Sequence, residues 1–233
     1  MTLSIAGRCG ETGQFGVAIS SSSPAVAARC AWARGGIGAA CTQNITDPRL
    51  GTVLLDRMGE GSSAIAAMAA VTEEEPLIAW RQLTAVDRNG VVAAWSGAHT
   101  LGIYATAEGP NCVAAGNLLA DSNVPQKMVA AFADRRDTDL GGRLVAALAA
   151  GLRAGGEAGP VHSAGLIIVS DVSWPVTDLR VDWSDDPIAE LTALWRLWQP
   201  QAEAYRLRAL NPPAAPNYGV PGDEGSGMPE NEL

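Results

Sequence analysis

The chain has 233 residues, 47% of them hydrophobic, so it can bury a large core, and we expect one main domain. Its formal net charge is −9 and its 16 lysine and arginine residues do not cluster, which argues against nucleic acid or an anionic membrane surface as a partner. Because no apolar run is long enough to span a membrane and no secretory signal is visible, we expect a cytoplasmic protein.

The first part of the chain predicts short strands joined by turns. Residues Thr2–Arg8 alternate in polarity, which indicates a strand, and residues 15–20 are expected to return beside it. Residues 21–36, rich in serine, alanine and glycine, predict a loop. The apolar residues 37–42 then predict a third strand.

The next two segments predict helices. Asp47 is expected to be an N-cap and Pro48 the first helical residue, where the missing N–H of proline costs nothing. Apolar residues then recur on one helical face as far as Gly59. Ser62 is expected to cap a second helix, which continues through the alanine-rich stretch after it.

The second half of the chain repeats this order of paired strands and paired helices. The dipeptide Asn89-Gly90 between two β-like runs is typical of a hairpin. Pro187 is expected to open the last helix and Pro200 to kink it. The other predicted elements are strands at 102–107 and 112–116, helices at 124–135 and 139–154, and strands at 164–172 and 178–183.

This grouping predicts the fold class. Strand pairs between helix pairs do not suit a doubly wound parallel sheet, but they suit antiparallel sheets covered by helices. We therefore expect an α+β fold, a four-layer αββα sandwich of two mainly antiparallel sheets flanked by helices, formed by residues 1–210. Residues 211–233 are rich in proline, glycine and acidic residues, and they predict a tail without a core of its own.

Five stretches of the sequence resemble a known family. They are GQFGVAISSSSPAVAARCAWARGGIG, TQNITDPRLG, QLTAVDRNGVVAAWSG, AAGNLLA and DLRVDWSDDPIAEL. In this order they resemble the bacterial family catalogued as domain of unknown function 1028, and the resemblance extends over residues 2–198. It implies the fold of the N-terminal nucleophile hydrolase-like superfamily, in which the first strand delivers its terminal residue into a cleft between the sheets. By analogy from that fold, it also implies hydrolysis of an amide bond.

Two positions depart from the pattern of this family. Many members have a serine followed by histidine or lysine and aromatic residues, whereas this chain keeps the serine at Ser21 and has small residues after it. A glutamine usually precedes a late strand, and here His162 takes its place. Both positions are expected near a pocket, so the substrate is expected to differ from that of close relatives.

Thr2 is the first candidate for a nucleophile. If Met1 is removed, as is common before small residues, the α-amine of Thr2 can accept the proton of its own hydroxyl. If Met1 is retained, Thr2 is only the start of a strand. Ser21 is the alternative nucleophile, and Ser20 and Ser22 are expected to bind substrate, although serine runs are also typical of ordinary loops.

The end of the third strand supplies a second group of candidates. Thr42 and Gln43 are expected to stabilise a substrate carbonyl, and Asn44 to bind substrate, because a strand that leads into a helix N-terminus presents N–H groups there. Arg49 lies in the first turn of that helix, where a cation opposes the helix dipole. We therefore expect a carboxylate of the chain or a substrate anion beside it.

Three further residues have both a chemical and a structural interpretation. Asn117 follows a glycine and is either an oxyanion donor or a helix cap. His162 precedes a buried strand and either contacts substrate or packs as a structural histidine. Cys41 is a candidate thiol nucleophile, but nothing in the sequence places a histidine beside it.

The sequence therefore favours a cofactor-independent hydrolase of a small amide, imide or ureide C–N bond. The expected catalytic residues are Thr2, Ser21, Thr42, Gln43 and Asn117, and the expected substrate-binding residues are Ser20, Ser22, Asn44, Arg49 and His162. The competing hypothesis is a non-catalytic binding or assembly protein that has kept the fold.

Cofactors and partners follow from the same residues. The cysteines and histidines lack the spacing of a metal site, so no metal and no cofactor is expected. The expected ligand is a small-molecule substrate. Tryptophans concentrate late in the chain, and together with the tail they predict a homo-oligomer that has one of these segments at an interface.

Overall fold

Two antiparallel β-sheets stack face to face in the computed structural model, which describes residues 2–135 and 138–220. The strands within these residues are β1 (Thr2–Arg8), β2 (Phe15–Ser21), β3 (Ala31–Arg34), β4 (Gly38–Asn44), β5 (Arg81–Asp87), β6 (Val92–Ser96), β7 (Ala105–Gly109), β8 (Cys112–Asn117), β9 (Ser163–Val169) and β10 (Thr177–Val181). The larger sheet has the order β10-β9-β2-β1-β8-β7, and the smaller has the order β3-β4-β5-β6.

Helices cover the outer face of each sheet. On the larger sheet these are α4 (Val124–Asp134) and α5 (Leu140–Arg153), and on the smaller sheet α2 (Arg49–Gly59) and α3 (Ala64–Glu74). The other helices within the described ranges are α1 (Ala27–Cys30), α6 (Pro187–Trp198) and α7 (Ala202–Leu210). None of these helices is both long and apolar enough to cross a membrane.

Alternation along the strands divides the side chains between three apolar layers. Leu3 and Ile5 of β1 pack with residues of α4 and α5 on the outer face of the larger sheet. Ala6 of the same strand lies between the two sheets, beside residues such as Val17. The outer face of the smaller sheet packs with α2 and α3, through residues such as Leu54. The expected αββα sandwich of two antiparallel sheets is therefore confirmed.

Most predicted elements are present, with small differences at their ends. The expected hairpin joins β5 and β6, and Asp87 accepts hydrogen bonds from the N–H groups of its turn. Helix α2 begins at Arg49, and α3 is capped by Ser63, whose side chain accepts from the Ala66 N–H. A helix begins where a side chain satisfies its first N–H groups, so Ser63 is the N-cap of α3 and not the predicted Ser62.

The prediction of a loop at residues 21–36 is wrong for residues 27–34. Residues Ala27–Cys30 form a single turn of helix, and residues Ala31–Arg34 form an edge strand that pairs with β4. Elements of four residues are shorter than the period over which an apolar pattern can be recognised.

Of the described residues, 196–220 form a separate small unit. Helix α6 ends at Trp198, a 3₁₀ turn spans Gln199–Gln201, and α7 follows, so the break expected at Pro200 is present. Within this unit Trp198 stacks on Tyr205, with ring centroids 5.1 Å apart. The predicted tail starts inside the described residues, but 221–233 lie outside them.

Candidate functional site

One end of the space between the two sheets is polar, whereas the rest of it is apolar. The antiparallel register places the start of β1 beside the ends of β2 and β8, and the end of β4 beside the start of β5. Polar residues occupy the inward-facing positions at this end of every one of these strands. We call this region the polar end, and its members are Thr2, Ser4, Ser21, Gln43, Gln82, Ser96, Asn117 and Ser163.

A chain of amide groups crosses the polar end from one sheet to the other. Ser4 Oγ donates to Gln43 Oε1 at 2.7 Å, and Gln43 Nε2 donates to Gln82 Oε1 at 2.8 Å. Asn117 Nδ2 also donates to Gln82 Oε1, at 3.0 Å. Gln82 Nε2 in turn donates to Ser96 Oγ at 3.0 Å and to the Gly116 carbonyl oxygen at 3.1 Å. Gln82 is therefore the centre of the network and bridges the two sheets.

Thr2 is buried at the edge of this network. It pairs with Asn117 across the β1–β8 ladder, so both side chains lie on the face that points toward the smaller sheet. Its side chain is only 5% exposed, and its hydroxyl donates to Ser21 Oγ at 3.5 Å. Ser21 Oγ lies 2.9 Å from Ser23 Oγ. The structure thus brings together Thr2, Ser21, Gln43 and Asn117, four of the five predicted catalytic residues.

Glu157 adds a buried carboxyl group beside these hydroxyls. Its backbone pairs with Leu119, just after β8, and its Oε2 accepts from the Ser22 N–H at 3.3 Å. The side chain is 5% exposed. Burial raises the pKa of Glu157 to about 7, although its hydrogen bond from Ser22 favours the charged form.

Two buried acceptors at or near the polar end have no hydrogen-bond partner among the described residues. They are Asn117 Oδ1 and Glu157 Oε1. Native proteins satisfy most buried polar atoms, so an unpaired group calls for an explanation such as a ligand. These acceptors are therefore candidate contacts for a ligand with hydrogen-bond donors.

Two of the predicted residues face away from the polar end. Thr42 lies on the α2 side of β4, where its hydroxyl contacts Thr46 Oγ1 at 3.1 Å and donates to the Asp47 carbonyl oxygen. Ser20 pairs with Leu3 on the outer face of the larger sheet and donates to the Ser163 carbonyl oxygen at 2.9 Å. Because side chains alternate along a strand, each of these residues is turned away from its neighbour in the site.

Asn44 and Arg49 have partners within the chain. Asn44 Nδ2 donates to the Trp80 carbonyl oxygen at 2.7 Å, and the backbone of Asn44 is left-handed, with φ +71°. Arg49 makes a two-pronged ion pair with Asp47, whose carboxylate also accepts from the Arg49 N–H. The side-chain hydrogen bond from Arg49 lowers the pKa of Asp47. The carboxylate expected beside Arg49 is therefore one of the chain's own.

Ser22 and His162 are joined to this region by hydrogen bonds of their backbone N–H groups. The Ser22 N–H bonds Glu157, and the His162 N–H bonds the Ser21 carbonyl oxygen at 2.8 Å. The His162 ring stacks on Trp183 with centroids 4.4 Å apart, and its Nδ1 lies 3.1 Å from the Ser184 carbonyl oxygen.

The geometry does not favour Cys41 as a nucleophile. Its side chain is fully buried between the sheets, and this burial raises the pKa of the thiol to about 12. A thiolate, the form that attacks, is therefore scarce at neutral pH. The described residues also contain no group of three or more histidine, cysteine, aspartate or glutamate side chains that could hold a metal ion.

Sequence reasoning missed several residues of this region, among them Ser4, Gln82 and Glu157. Gln82 and Thr84 occupy alternate positions of a strand whose other residues are largely apolar, and this polar period of two was the available signal for an inward polar face. Glu157 follows two glycines in a connection without a periodic pattern, so no sequence signal placed it beside Ser22.

Comparison with known protein families matches residues 2–191 to the family of unknown function DUF1028. The chain belongs to this family. The crystal structure of protein SPO2555 from Silicibacter pomeroyi, of the same family, is 30% identical to it, with a TM-score of 0.79. That alignment covers 85% of this chain and 86% of the other. Comparison with curated protein sequences finds no match.

Two structures of Anbu are more distant. Anbu from Hyphomicrobium sp. strain MC1 is 10% identical, with a TM-score of 0.38, over 94% of this chain and all of that one (100%). Anbu (ancestral beta-subunit) from Yersinia bercovieri is 9% identical, with a TM-score of 0.37, over 87% of this chain and 96% of that one. These similarities are too low to carry an argument about function.

Proposed function

We propose that this chain is a cofactor-independent hydrolase of the C–N bond of a small amide, imide or ureide, with Thr2 as nucleophile after removal of Met1. The observation that supports this most is the position of the Thr2 hydroxyl. It lies at the start of β1, faces the gap between the sheets and is 3.5 Å from Ser21 Oγ, in a polar end rich in hydrogen-bonding groups.

In the proposed first step, Thr2 Oγ1 attacks the carbonyl carbon of the substrate. A C–O bond forms, the C=O electron pair moves to the oxygen, and the hydroxyl proton passes to the α-amine of Thr2. When the intermediate collapses, the C–N bond breaks and the leaving nitrogen takes that proton. An ester to Thr2 remains, and water hydrolyses it to a carboxylic acid and free Thr2.

Stabilisation of the oxyanion is assigned to Asn117 and Gln43. Each primary amide nitrogen carries two hydrogens, and the one described bond of each nitrogen goes to Gln82 Oε1. Of these two amides, the one directly opposite Thr2 is that of Asn117, because the two residues pair across β1 and β8. Amide donors fixed in a buried network need little reorganisation, which is what such stabilisation requires.

One observation supports the alternative of a non-catalytic binding or assembly protein. The amides of Gln43, Gln82 and Asn117 bond mainly to one another, so much of the polar end is satisfied without a ligand. This interpretation requires that Met1 stay in place, because an intact Met1 leaves the Thr2 hydroxyl without its own amine.

Intact-protein mass spectrometry tests the proposal. The untagged protein is measured before and after incubation with a panel of small amides, imides and ureides. The expected result is a mass without Met1 and a substrate-dependent acyl adduct. The adduct is expected to vanish in Thr2→Ala, which remains small enough for Met1 removal, and to persist in Thr2→Ser.

Thr106→Ala is the matched control, because Thr106 is an exposed residue of β7 on the same sheet. This variant is expected to retain both the adduct and the turnover. A protein that keeps Met1 and forms no adduct with any compound would remove Thr2 from the mechanism and favour the binding or assembly protein.

A further inference from the structure

We propose that Glu157 and Asn117 together form a binding site for a primary ammonium group. The ammonium belongs either to Thr2 itself, once Met1 has been removed, or to an amino-bearing substrate. The inference deepens the proposed function, and its Thr2 arm rests on that function because it needs the same α-amine, here in the protonated form that it has after accepting the hydroxyl proton.

Two adjacent segments of chain carry these side chains. Asn117 is the last residue of β8, and two residues later Leu119 pairs with Glu157 as an isolated bridge. The Ala158 N–H also bonds the Leu118 carbonyl oxygen at 2.9 Å. Leu118 itself has φ +51°, a left-handed conformation that a leucine adopts only when its surroundings require it. The connection that carries Glu157 is therefore held against the end of β8.

The two side chains present acceptors that lack donors. Asn117 is fully buried and Glu157 is 5% exposed, and Asn117 Oδ1 and Glu157 Oε1 have no partner within residues 2–135 and 138–220. An ammonium group carries three N–H donors and a positive charge. It therefore supplies the two missing hydrogen bonds and compensates a carboxylate removed from water.

The guanidinium of Arg29 does not serve as the cation for Glu157. Arg29 lies on the segment that follows Ser22, but its guanidinium donates to Ser23 Oγ and to the carbonyl oxygens of Pro24 and Ala25. Burial raises the pKa of Glu157 to about 7, because the positive charge of the chain's N-terminus and the hydrogen bond from Ser22 offset the effect of burial only in part. A bound ammonium lowers that pKa again, because it favours the charged form of the carboxyl group.

The start of β1 is the source of the first candidate ammonium. Thr2 pairs with Asn117, its hydroxyl donates to Ser21 Oγ, and the residue after Ser21 bonds Glu157. The α-amine of a processed chain is attached to this residue. A substrate amino group is the second candidate, since the gap between the sheets is where the proposed hydrolysis takes place.

The experiment follows the side-chain carboxyl carbon of Glu157 by NMR during pH titration of protein labelled with ¹³C-glutamate. Two forms are prepared, one that begins at Met1 and one that begins at Thr2. Each is titrated alone, with ethylammonium chloride, and with sodium chloride at the same ionic strength. Glu157→Gln assigns the resonance, and Glu108→Gln, an exposed residue of β7, is the matched control. If Glu157→Gln does not fold, through-bond assignment of the wild-type protein replaces it.

The two sources give different results. If Thr2 supplies the ammonium, the Glu157 pKa is lower by about one unit, a tenfold change, in the form that begins at Thr2, and ethylammonium adds nothing there. If a substrate supplies it, ethylammonium lowers the pKa in both forms and sodium chloride does not. A pKa that responds to neither change overturns the inference.

The same preparations separate this inference from the proposed hydrolysis. A response of Glu157 without any turnover of the amide panel would leave the ammonium site standing and reject the hydrolase. Turnover without any response of Glu157 would reject the ammonium site alone.

Discussion

Glu157 makes the stability of the fold depend on pH. Its pKa is raised from 4.5 to about 7 in the folded chain, so the folded state holds the proton more tightly than the unfolded state does. The contribution of a protonated Glu157 is fully present below pH 4.5, and it is lost as the pH rises through about 7.

We expect the free energy of unfolding of the wild-type protein, relative to Glu157→Gln, to fall by about 3 kcal/mol between these limits. Glutamine keeps the shape of the side chain and does not titrate, so the difference isolates the carboxyl group. Urea denaturation at a series of pH values between 4 and 8 measures it. A constant difference across that range would show that the carboxyl group is not perturbed.

The four cysteines are expected to differ in reactivity. Burial disfavours the Cys9 thiolate, but hydrogen bonds with Thr12 and the charge of Arg143 outweigh it, and the pKa is lowered. Burial instead raises the pKa of Cys30, Cys41 and Cys112.

Brief treatment with iodoacetamide at neutral pH should therefore alkylate Cys9 first and leave the other three thiols unmodified, as read by peptide mass spectrometry. Any hydrolytic activity should survive this treatment. Loss of activity together with alkylation of Cys41 would instead support the cysteine hydrolase that the sequence left open.

At the scale of single residues, the sequence predicted part of the candidate site. It identified Thr2, Ser21, Gln43 and Asn117 because each stands at the end of a strand that can be recognised from the sequence. It also chose Thr42, which faces α2, because polarity marks a strand end without showing which face each residue occupies. The facing partner Gln82 was missed, since a contact between two sheets joins residues far apart in the sequence.

Among the elements, α2 and β3 meet at a glycine. A Cβ placed on Gly51 would lie 2.1 Å from the Trp32 ring, whereas one on Gly59, at the end of the same helix, would meet only the tip of Ile37 at 3.2 Å. Both substitutions by alanine favour the helix intrinsically, so they differ mainly in packing.

Gly51→Ala is expected to destabilise the fold by about 1–3 kcal/mol, because overpacking outweighs the gain in helix propensity. Gly59→Ala is expected to be neutral or to stabilise the fold by about 0.5 kcal/mol. Thermal unfolding of the two variants against the wild-type protein compares them. Equal stability of the two would mean that β3 moves easily away from α2.

The elements differ in how well the sequence predicted them. The β5–β6 hairpin was predicted because Asn89-Gly90 adopts the required turn locally, and Gly90 has φ +79°. Helix α1 and strand β3 were missed because they are only four residues long, and β3 also depends on pairing with β4. Local chemistry predicts a turn, whereas an edge strand is specified by its neighbour.

For the whole molecule, the expectation of a homo-oligomer stays a prediction. Trp183 is 61% exposed in the main unit, and Leu197 is 66% exposed in the C-terminal unit. Sedimentation velocity of the full chain should give a mass of at least two copies. A chain that ends at residue 210 should dissociate if the tail forms the interface, and an unchanged mass would assign the interface to other surfaces.

Gln82 joins the two sheets at their polar end, beside the hydrogen bond from Ser4 to Gln43. Gln82 accepts from Gln43 and Asn117 and donates to Ser96 Oγ and the Gly116 carbonyl oxygen, so it connects both sheets within the buried layer. Replacement of Gln82 by alanine removes all four bonds and leaves several partners buried without one.

Because each buried polar group left unpaired costs about 1–3 kcal/mol, Gln82→Ala is expected to lower the free energy of unfolding by at least about 3 kcal/mol. Gln126→Ala, on the exposed face of α4, is the matched control and should change it by less than about 0.5 kcal/mol. Urea denaturation measures both variants. If the two variants were equally stable, the polar end would not hold the sheets together, and its amides would be free to serve a ligand instead.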